Sequence, residues 1–483
     1  MKQGSRHSRF VPVALGKVDG TRAVLEAIPE QMTAFGGTSM LAAVEKKVGL
    51  VKALSKVVND NRMQHLIEHK KFDILQQRVY QIGTGYADGN DCDWLRNDAS
   101  ILLGLDRNPV SGQPGASQET TSRFETKAID RQNLKAVREL FVEHFIAKQK
   151  RRPKKIVLDP DGTMIKTYGA QEGAVYRGGK YKHEMYFPLK IYCGDWLMAT
   201  VLRRGDQSEA KTILDSLKMV VGKLRAKWSG LCIKVRLDAA FGSSELYDWC
   251  RETKIGYEIG MASNRVLEFN ARAFMQQAEA QFRKDYGEPR FMGQDCKKEI
   301  QAEHARIRGI EDNDERMVQE KEFKKRRTRV VGEFCYKTES WKNWERVICR
   351  ADFTDKGQDV HYVVVSYQDG IPQEIYEEEY CKRGLAEQSI GRFKQTAQRL
   401  SAQAFYANQC RLMLYGVAYM LLMHLRNDTC PKLRHADINT LRKTLILMPM
   451  AIRRTEKKIV LQISERHTNC RDFLDTWRRL SAA

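Results

Sequence analysis

Two short runs constrain the fold of this chain more than any other feature. KIVLDPD (Lys155–Asp161) and CIKVRLD (Cys232–Asp238) each read as a core strand that ends in an aspartate. An aspartate at the end of a buried strand is costly unless a cation pairs with it. Two such ends, at Asp161 and Asp238, imply a shared charged site rather than two accidents of composition. The segments around them support a sheet. His183–Cys193 and Trp196–Arg203 read as strands joined by a turn at Gly194-Asp195. Ser208–Trp228 is an amphipathic helix, Ser243–Glu252 a second helix, and Gly256–Ala262 a further strand. This order describes a mixed α/β layer arrangement.

The flanks have a different texture. Residues 1 to about 150 read as mostly helical, with apolar residues at helical spacing from Met40 to Gln77. The glycines of the 83–93 turn do not follow a phosphate-loop pattern. The stretch Ala116–Phe124 opens a short helix with hydroxyl and amide residues and carries Arg123. That is the pattern of a recognition helix, or of a surface helix capped by Ser117. Residues 265–327 are charged and helical, followed by strand-like runs at Arg329–Tyr336, Val347–Phe353 and His361–Ser366. A helical block runs from about Pro372 past Gln398, and the remainder reads as more helix. Its apolar stretch Leu412–Met423 is too short to span a bilayer and is expected to be buried.

Charge narrows the partner. Lys and Arg number 82 against 61 Asp and Glu, a formal net charge of +21. Such a surplus favours a polyanion, and basic runs at Lys148–Lys155, Lys321–Arg329 and Arg453–Lys458 suit an extended phosphate-tracking surface. The 11 cysteines are odd in number and none are spaced C-x-x-C, which disfavours a zinc ribbon or a secreted disulfide framework. With no apolar signal core in the first ten residues, the expected location is a reducing cytoplasm.

A third acid, Glu387, lies in a helical segment. At roughly 100° per residue, Tyr380, Arg383, Glu387 and Lys394 fall on one narrow stripe, while Leu385, Ala386 and Phe393 could face a core. A surface helix with an Arg383–Glu387 pair four residues apart has the same pattern. Two strand-end aspartates and a helical glutamate would make an oxygen cage for Mg2+, with Mn2+ able to substitute. Two such ions can activate a water or 3′-hydroxyl and stabilise the departing oxygen of a phosphodiester.

The spacing Tyr380-x2-Arg383-x3-Glu387-x6-Lys394 matches the signature of DDE transposases of the insertion sequence 4 superfamily. Asp161-Gly162-Thr163 resembles the first catalytic motif of RNase H-like folds. The stretches Arg78–Tyr86, Leu95–Asp98, Ser117–Glu125, Gln171–Gly173, Tyr192–Asp195 and Ala407–Arg411 resemble the insertion sequence 1380 family. The resemblance covers about residues 30 to 460. It implies an α/β fold: an RNase H-like catalytic core with an inserted α+β region, flanked by N-terminal and C-terminal helical regions. The implied layout is DNA binding in 1–150, the first part of the core in 151–264, an insertion in 265–370, the catalytic helix in 371–400 and a helical region in 401–483.

The implied activity is cut-and-paste transposition: metal-dependent cleavage at element ends, then strand transfer into target DNA. The implied catalytic and metal-binding residues are Asp161, Asp238 and Glu387. Tyr380, Arg383, Lys394, Arg123 and Trp341 are the expected DNA contacts. The partners would be terminal inverted repeats and target DNA, held by a homodimer in the bacterial cytoplasm, with no membrane. Asp159 and Asp161 share a strand face, so periodicity leaves both open as the first ligand and only the resemblance favours Asp161. The residues around Asp238 depart from the family's Gly-Asp-Ser-Gly-Phe, reading Leu237-Asp238-Ala239-Ala240-Phe241. A cleavage-dead DNA-binding derivative, or a nuclease of the same fold without strand transfer, is the alternative reading. Trp341 and Trp344, among basic residues, suit base stacking or the packing of a small β unit. His65-x-x-Glu68-His69 matches a zinc-protease motif, but no third ligand can be assigned.

Overall fold

The structure is a computed structural model that describes residues 10–482 apart from 29, 111, 180, 206, 208, 292–295 and 398. The segment read for a signal peptide therefore lies outside the described residues up to position 9, as do Ser208 and Gln398. The chain divides into two compact units. One comprises Met1–Leu140, Ile165–Met185 and Gly391–Ala483; the other comprises Phe141–Met164 and Tyr186–Ile390.

The second unit is built on an eight-stranded mixed sheet. From one edge its strands are Arg327–Tyr336, Glu345–Thr354, Gly357–Val365, Gly256–Met261, Cys232–Leu237, Lys155–Gly162, Leu189–Cys193 and Trp196–Val201. The central strand Cys232–Leu237 runs parallel to both of its neighbours, and the other pairings are antiparallel. Parallel neighbours need a long crossover. The helix Glu209–Lys227 lies in the first crossover and Ser244–Glu252 in the second. Their apolar stripes, including Leu217, Val220 and Leu246, pack with Leu158, Ile233 and Val235 of the sheet. The run read as one strand from His183 to Cys193 is two, His183–Tyr186 and Leu189–Cys193. They are separated at Phe187-Pro188, where proline removes a backbone donor.

The three strands between residues 327 and 365 continue the same sheet rather than forming a separate one. The long helix Arg265–Tyr286 covers them, setting Ala278 and Phe282 against Ala351 and Phe353. Sequence periodicity identifies these strands but carries no information on which edge they join.

In the first unit the apolar run at 412–423 is the middle of the helix Phe405–Asp428, buried along nearly its whole length. No helix among the described residues is long and apolar enough to cross a membrane. Met40–Gln77 is not one helix: Gly49, at φ 68°, separates Thr38–Val48 from Leu50–Val57. Asn59-Asp60-Asn61 follows, residues that favour turns. His65 is exposed and His69 buried on an irregular segment, so the zinc-like motif presents no shared face. The ends are also less helical than expected. Gln31–Thr33, Met450–Arg454 and Ile459–Gln462 form a three-stranded sheet, and the basic run at 453–458 is the turn of its hairpin. Pairing across more than 400 residues leaves no local signal.

Candidate active site

The register of the central strands sets the site. Cys232–Leu237 pairs with Lys155–Gly162 so that Lys155 faces Cys232 and Leu158 faces Val235. The ladder ends there; just beyond it Asp159 meets Arg236, and Asp161 and Asp238 follow at the same end of the two strands. Side chains two residues apart on a strand share a face, so Lys234, Arg236 and Asp238 form one ladder. The alternation in CIKVRLD is therefore structural. Lys234 is buried against Glu258 at 2.7 Å and also pairs with Glu379. Arg236 holds Asp159 through two hydrogen bonds, Nε–Oδ1 at 2.7 Å and Nη2–Oδ2 at 2.8 Å.

This ladder separates the two aspartates of the first strand. Asp159 is buried, and its carboxyl is pushed up by burial against the pull of Arg236. Asp161 stands one step higher at the rim, with 21% of its side chain exposed, and accepts a hydrogen bond from Thr163 at 3.2 Å. Asp238 is 53% exposed and accepts from the backbone N–H of Ala239, capping the short turn Ala239–Phe241.

The segment carrying the glutamate is not a uniform helix. Ile375–Glu379 is wound as a π-helix, Tyr380–Arg383 as a 3-10 turn, and Gly384–Lys394 as an α-helix. Such register breaks inside helices often mark functional positions. Here the carbonyl of Glu379 accepts from Nη1 of Arg236 at 2.9 Å, so the ladder also pins the break. In 3-10 geometry residues three apart eclipse, so Tyr380 and Arg383 still project together. The buried face of the α-helical part is Ala386, Ser389, Ile390 and Phe393. Leu385, expected to be able to face the core, is exposed. Ser389, a polar residue no hydrophobic pattern reveals, donates to the Gly194 carbonyl at 3.2 Å and to Asp195 at 3.1 Å. This docks the helix on the hairpin turn.

The outcome is convergence on one cation. The Arg383 guanidinium lies 3.8 Å from Asp161, 3.7 Å from Asp238 and 3.7 Å from Glu387. Beside it the Tyr380 ring is buried between His361 and Tyr376, at centroid distances of 5.6 and 5.8 Å. Burial raises the Tyr380 phenol above its ordinary value and lowers the His361 imidazole, with Arg350 adding to the latter. No group of three or more His, Cys, Asp or Glu side chains among the described residues forms a ready-made metal cluster. The three carboxylates are instead spaced around the guanidinium. As a donor set they are all oxygen, which suits a hard divalent cation.

Gly260 makes the close packing here possible. A Cβ at this position would lie 2.9 Å from the Tyr380 hydroxyl and 3.0 Å from the Ala239 nitrogen. Gly260→Ala is expected to shift Tyr380 or the Asp238 backbone by a few tenths of an ångström. That should lower the activity of the site by about tenfold with little change in melting temperature, because small misplacements at a reacting centre are costly. Unchanged activity would remove Gly260 from the positioning role.

The other expected contacts are scattered. Lys394 is exposed at the end of the Glu387 helix. Arg123 is exposed and paired with Glu119 on its own helix. Trp341 is half-buried, edge-on to Tyr247 and Tyr336 at 4.9 and 5.5 Å, whereas Trp344 is exposed. Asn408 and Arg411 are internal, Asn408 against Gln171 and Arg411 against Glu125. Sequence reasoning missed Arg236, Ser389, Gly260 and His361. Only Arg236 left a signal, as a basic residue two positions before a strand-end aspartate.

The fold and its acidic cluster describe a carboxylate-centred α/β enzyme. The family description Transposase DDE domain group 1 matches residues 16–483, so the chain belongs to this family of DDE transposases and is a DNA transposase. DDE transposase domains in general use divalent metal ions. No curated protein matches the chain. Among solved structures it is similar to a piggyBac transposase synaptic complex with hairpin DNA, at 10% identity and a TM-score of 0.37, over 80% of this chain and 74% of that one.

Proposed function

We propose that the chain is a cut-and-paste transposase of the insertion sequence 1380 type, within the insertion sequence 4 superfamily, and that its mixed sheet is an RNase H-like catalytic core. The observation that carries this reading is the convergence of Asp161, Asp238 and Glu387 on Arg383, with the two aspartates at the same end of neighbouring parallel strands. Two Mg2+ ions, or Mn2+ in their place, held by these carboxylates would supply an activated water or 3′-hydroxyl and stabilise the leaving oxygen.

The remaining work falls to the chain itself. Arg383 offsets the mutual repulsion of the three acids and is a guanidinium suited to a phosphate oxygen of the scissile strand. The Arg236–Asp159 pair fixes the height of both aspartates. Ser389 fixes the helix that carries Glu387. Residues 1–150 would bind terminal inverted repeats in this reading, and the 265–370 insertion would hold the DNA end. The active form would be a homodimer synapsing two ends in the bacterial cytoplasm.

The test is cleavage and strand transfer on a duplex carrying the element end, with Mg2+ and with chelator. Glu387→Gln is expected to bind this DNA normally and neither nick nor join it. Cleavage at the wild-type rate by Glu387→Gln would overturn the assignment.

A further inference from the structure

A second charged arrangement lies in the first unit. Glu125, on the helix Gln118–Ala128, is fully buried between two arginines. Arg78 Nε reaches one carboxylate oxygen at 2.8 Å and Arg411 Nε reaches the other at 2.8 Å. One negative charge is thus shared by two positive ones, and the buried triad carries a surplus charge of about +1. An uncompensated buried cation is unfavourable. Arg78 spends its remaining nitrogens on Gln81 and on the carbonyls of Ala87 and Asp88. Arg411, only 6% exposed, gives Nη1 to Ser401 at 2.5 Å. Its Nη2 has no hydrogen-bond partner among the described residues and lies beside Gly89, where a Cβ would come within 3.3 Å of it.

Above that nitrogen is a polar cleft of about 550 Å³. One wall is the helix face bearing Gln118, Ser122 and Thr126, spaced four apart; the others include Asn90, Arg399 and Ser401. Arg399 adds no net charge, because it pairs with Asp88 at 3.3 Å. The helix start itself is already capped, Gln118 N–H donating to Asp93 at 2.9 Å and Thr120 N–H to Ser117, so it is the side chains of this face that line the cleft. Two features agree: an under-neutralised guanidinium lining the cleft, and the polar side chains of Asn90, Gln118 and Ser122 around it, with the Arg399–Asp88 ion pair adding no net charge.

We propose that this cleft is an anion site that seats one phosphodiester of duplex DNA. The helix Gln118–Ala128 would then meet DNA through its Gln118-Ser122-Thr126 face, and Arg123, already paired with Glu119, would not be the main contact. This inference rests on the reading of the chain as a DNA-binding transposase.

The experiment uses the full chain and a duplex of about 30 base pairs, with Kd measured across a salt series. Ser122→Glu places a carboxylate in the cleft without touching the triad. It is expected to weaken binding about tenfold at low salt and to reduce the slope of log Kd against log salt by about one, as for loss of one phosphate contact. Arg123→Ala is expected to leave that slope unchanged. If wild type binds duplex and Ser122→Glu binds it with the same slope, the cleft proposal fails alone. If wild type binds no duplex, the transposase reading fails and the cleft proposal with it. If inorganic phosphate raises the melting temperature of wild type but not of Ser122→Glu, while the DNA slope is shared, the cleft takes free anions and the DNA assignment is overturned. Should Ser122→Glu fail to fold, Thr126→Glu at the exposed end of the same face is measured instead.

Discussion

Asp161→Asn is expected to reduce DNA cleavage about a thousandfold and leave the melting temperature essentially unchanged. Asp159→Asn, two residues away on the same face, is expected to lower the melting temperature by on the order of 10 °C. The contrast follows from what each carboxylate touches. Asp161 is at the rim, near Arg383 and Thr163, where loss of its charge disturbs no packing and, in the proposed reading, removes a metal ligand. Losing about 4 kcal/mol of transition-state stabilisation corresponds to that thousandfold. Asp159 neutralises a buried guanidinium. Removing one partner of a buried ion pair costs about 3–5 kcal/mol, and each kcal/mol shifts the melting point of a unit this size by roughly 2–4 °C. Cleavage and melting curves on both variants decide the matter. If Asp159→Asn stops cleavage at an unchanged melting temperature while Asp161→Asn cuts normally, the first ligand is Asp159.

Glu125→Gln is the second large effect expected, and it should appear as unfolding rather than as lost chemistry. The amide leaves Arg78 and Arg411 facing each other in a buried site, at a cost of about 3–5 kcal/mol. The pH dependence adds an independent check. Burial pushes the Glu125 carboxyl up, but Arg78 and Arg411 pull it further down, so its folded pKa lies below the ordinary carboxylate range. A depressed folded pKa contributes stability that is present above the unfolded value, about pH 4.3, and is lost as pH falls through the folded value. Wild type should therefore lose stability below about pH 4.3 more steeply than Glu125→Gln. Equal melting temperatures and identical acid limbs in the two proteins would mean that the triad contributes nothing net.

How much of this was legible in the sequence depends on the range of the interaction. The strands at 155, 232 and 256 and the helix at 209 are local patterns, and the structure has them within a residue or two of where periodicity puts them. Leu385 went astray because it lies roughly 90° from the centre of the buried face set by Ala386, Ser389, Ile390 and Phe393 on the same α-helix. The roles of Arg236 and Asp159 were hidden for a different reason. Strand periodicity gives the face of each residue but not the register between two strands 77 positions apart, and it is that register that pairs Asp159 with Arg236. Ser389 and Gly260 act through a hydroxyl and a missing methyl, which no hydrophobic pattern detects.

The continuity of the eight-stranded sheet has a mechanical consequence. The strand Arg327–Tyr336 is four places from the Asp238 strand, a lateral distance of about 19 Å at the usual interstrand spacing. Every step between them is a hydrogen-bonded ladder, with no linker to bend. The outer strands and the carboxylates therefore behave as the two jaws of a fixed gauge. A double helix seated against those outer strands would meet the acids at one set position along its length, so the cut would be measured by the slab itself.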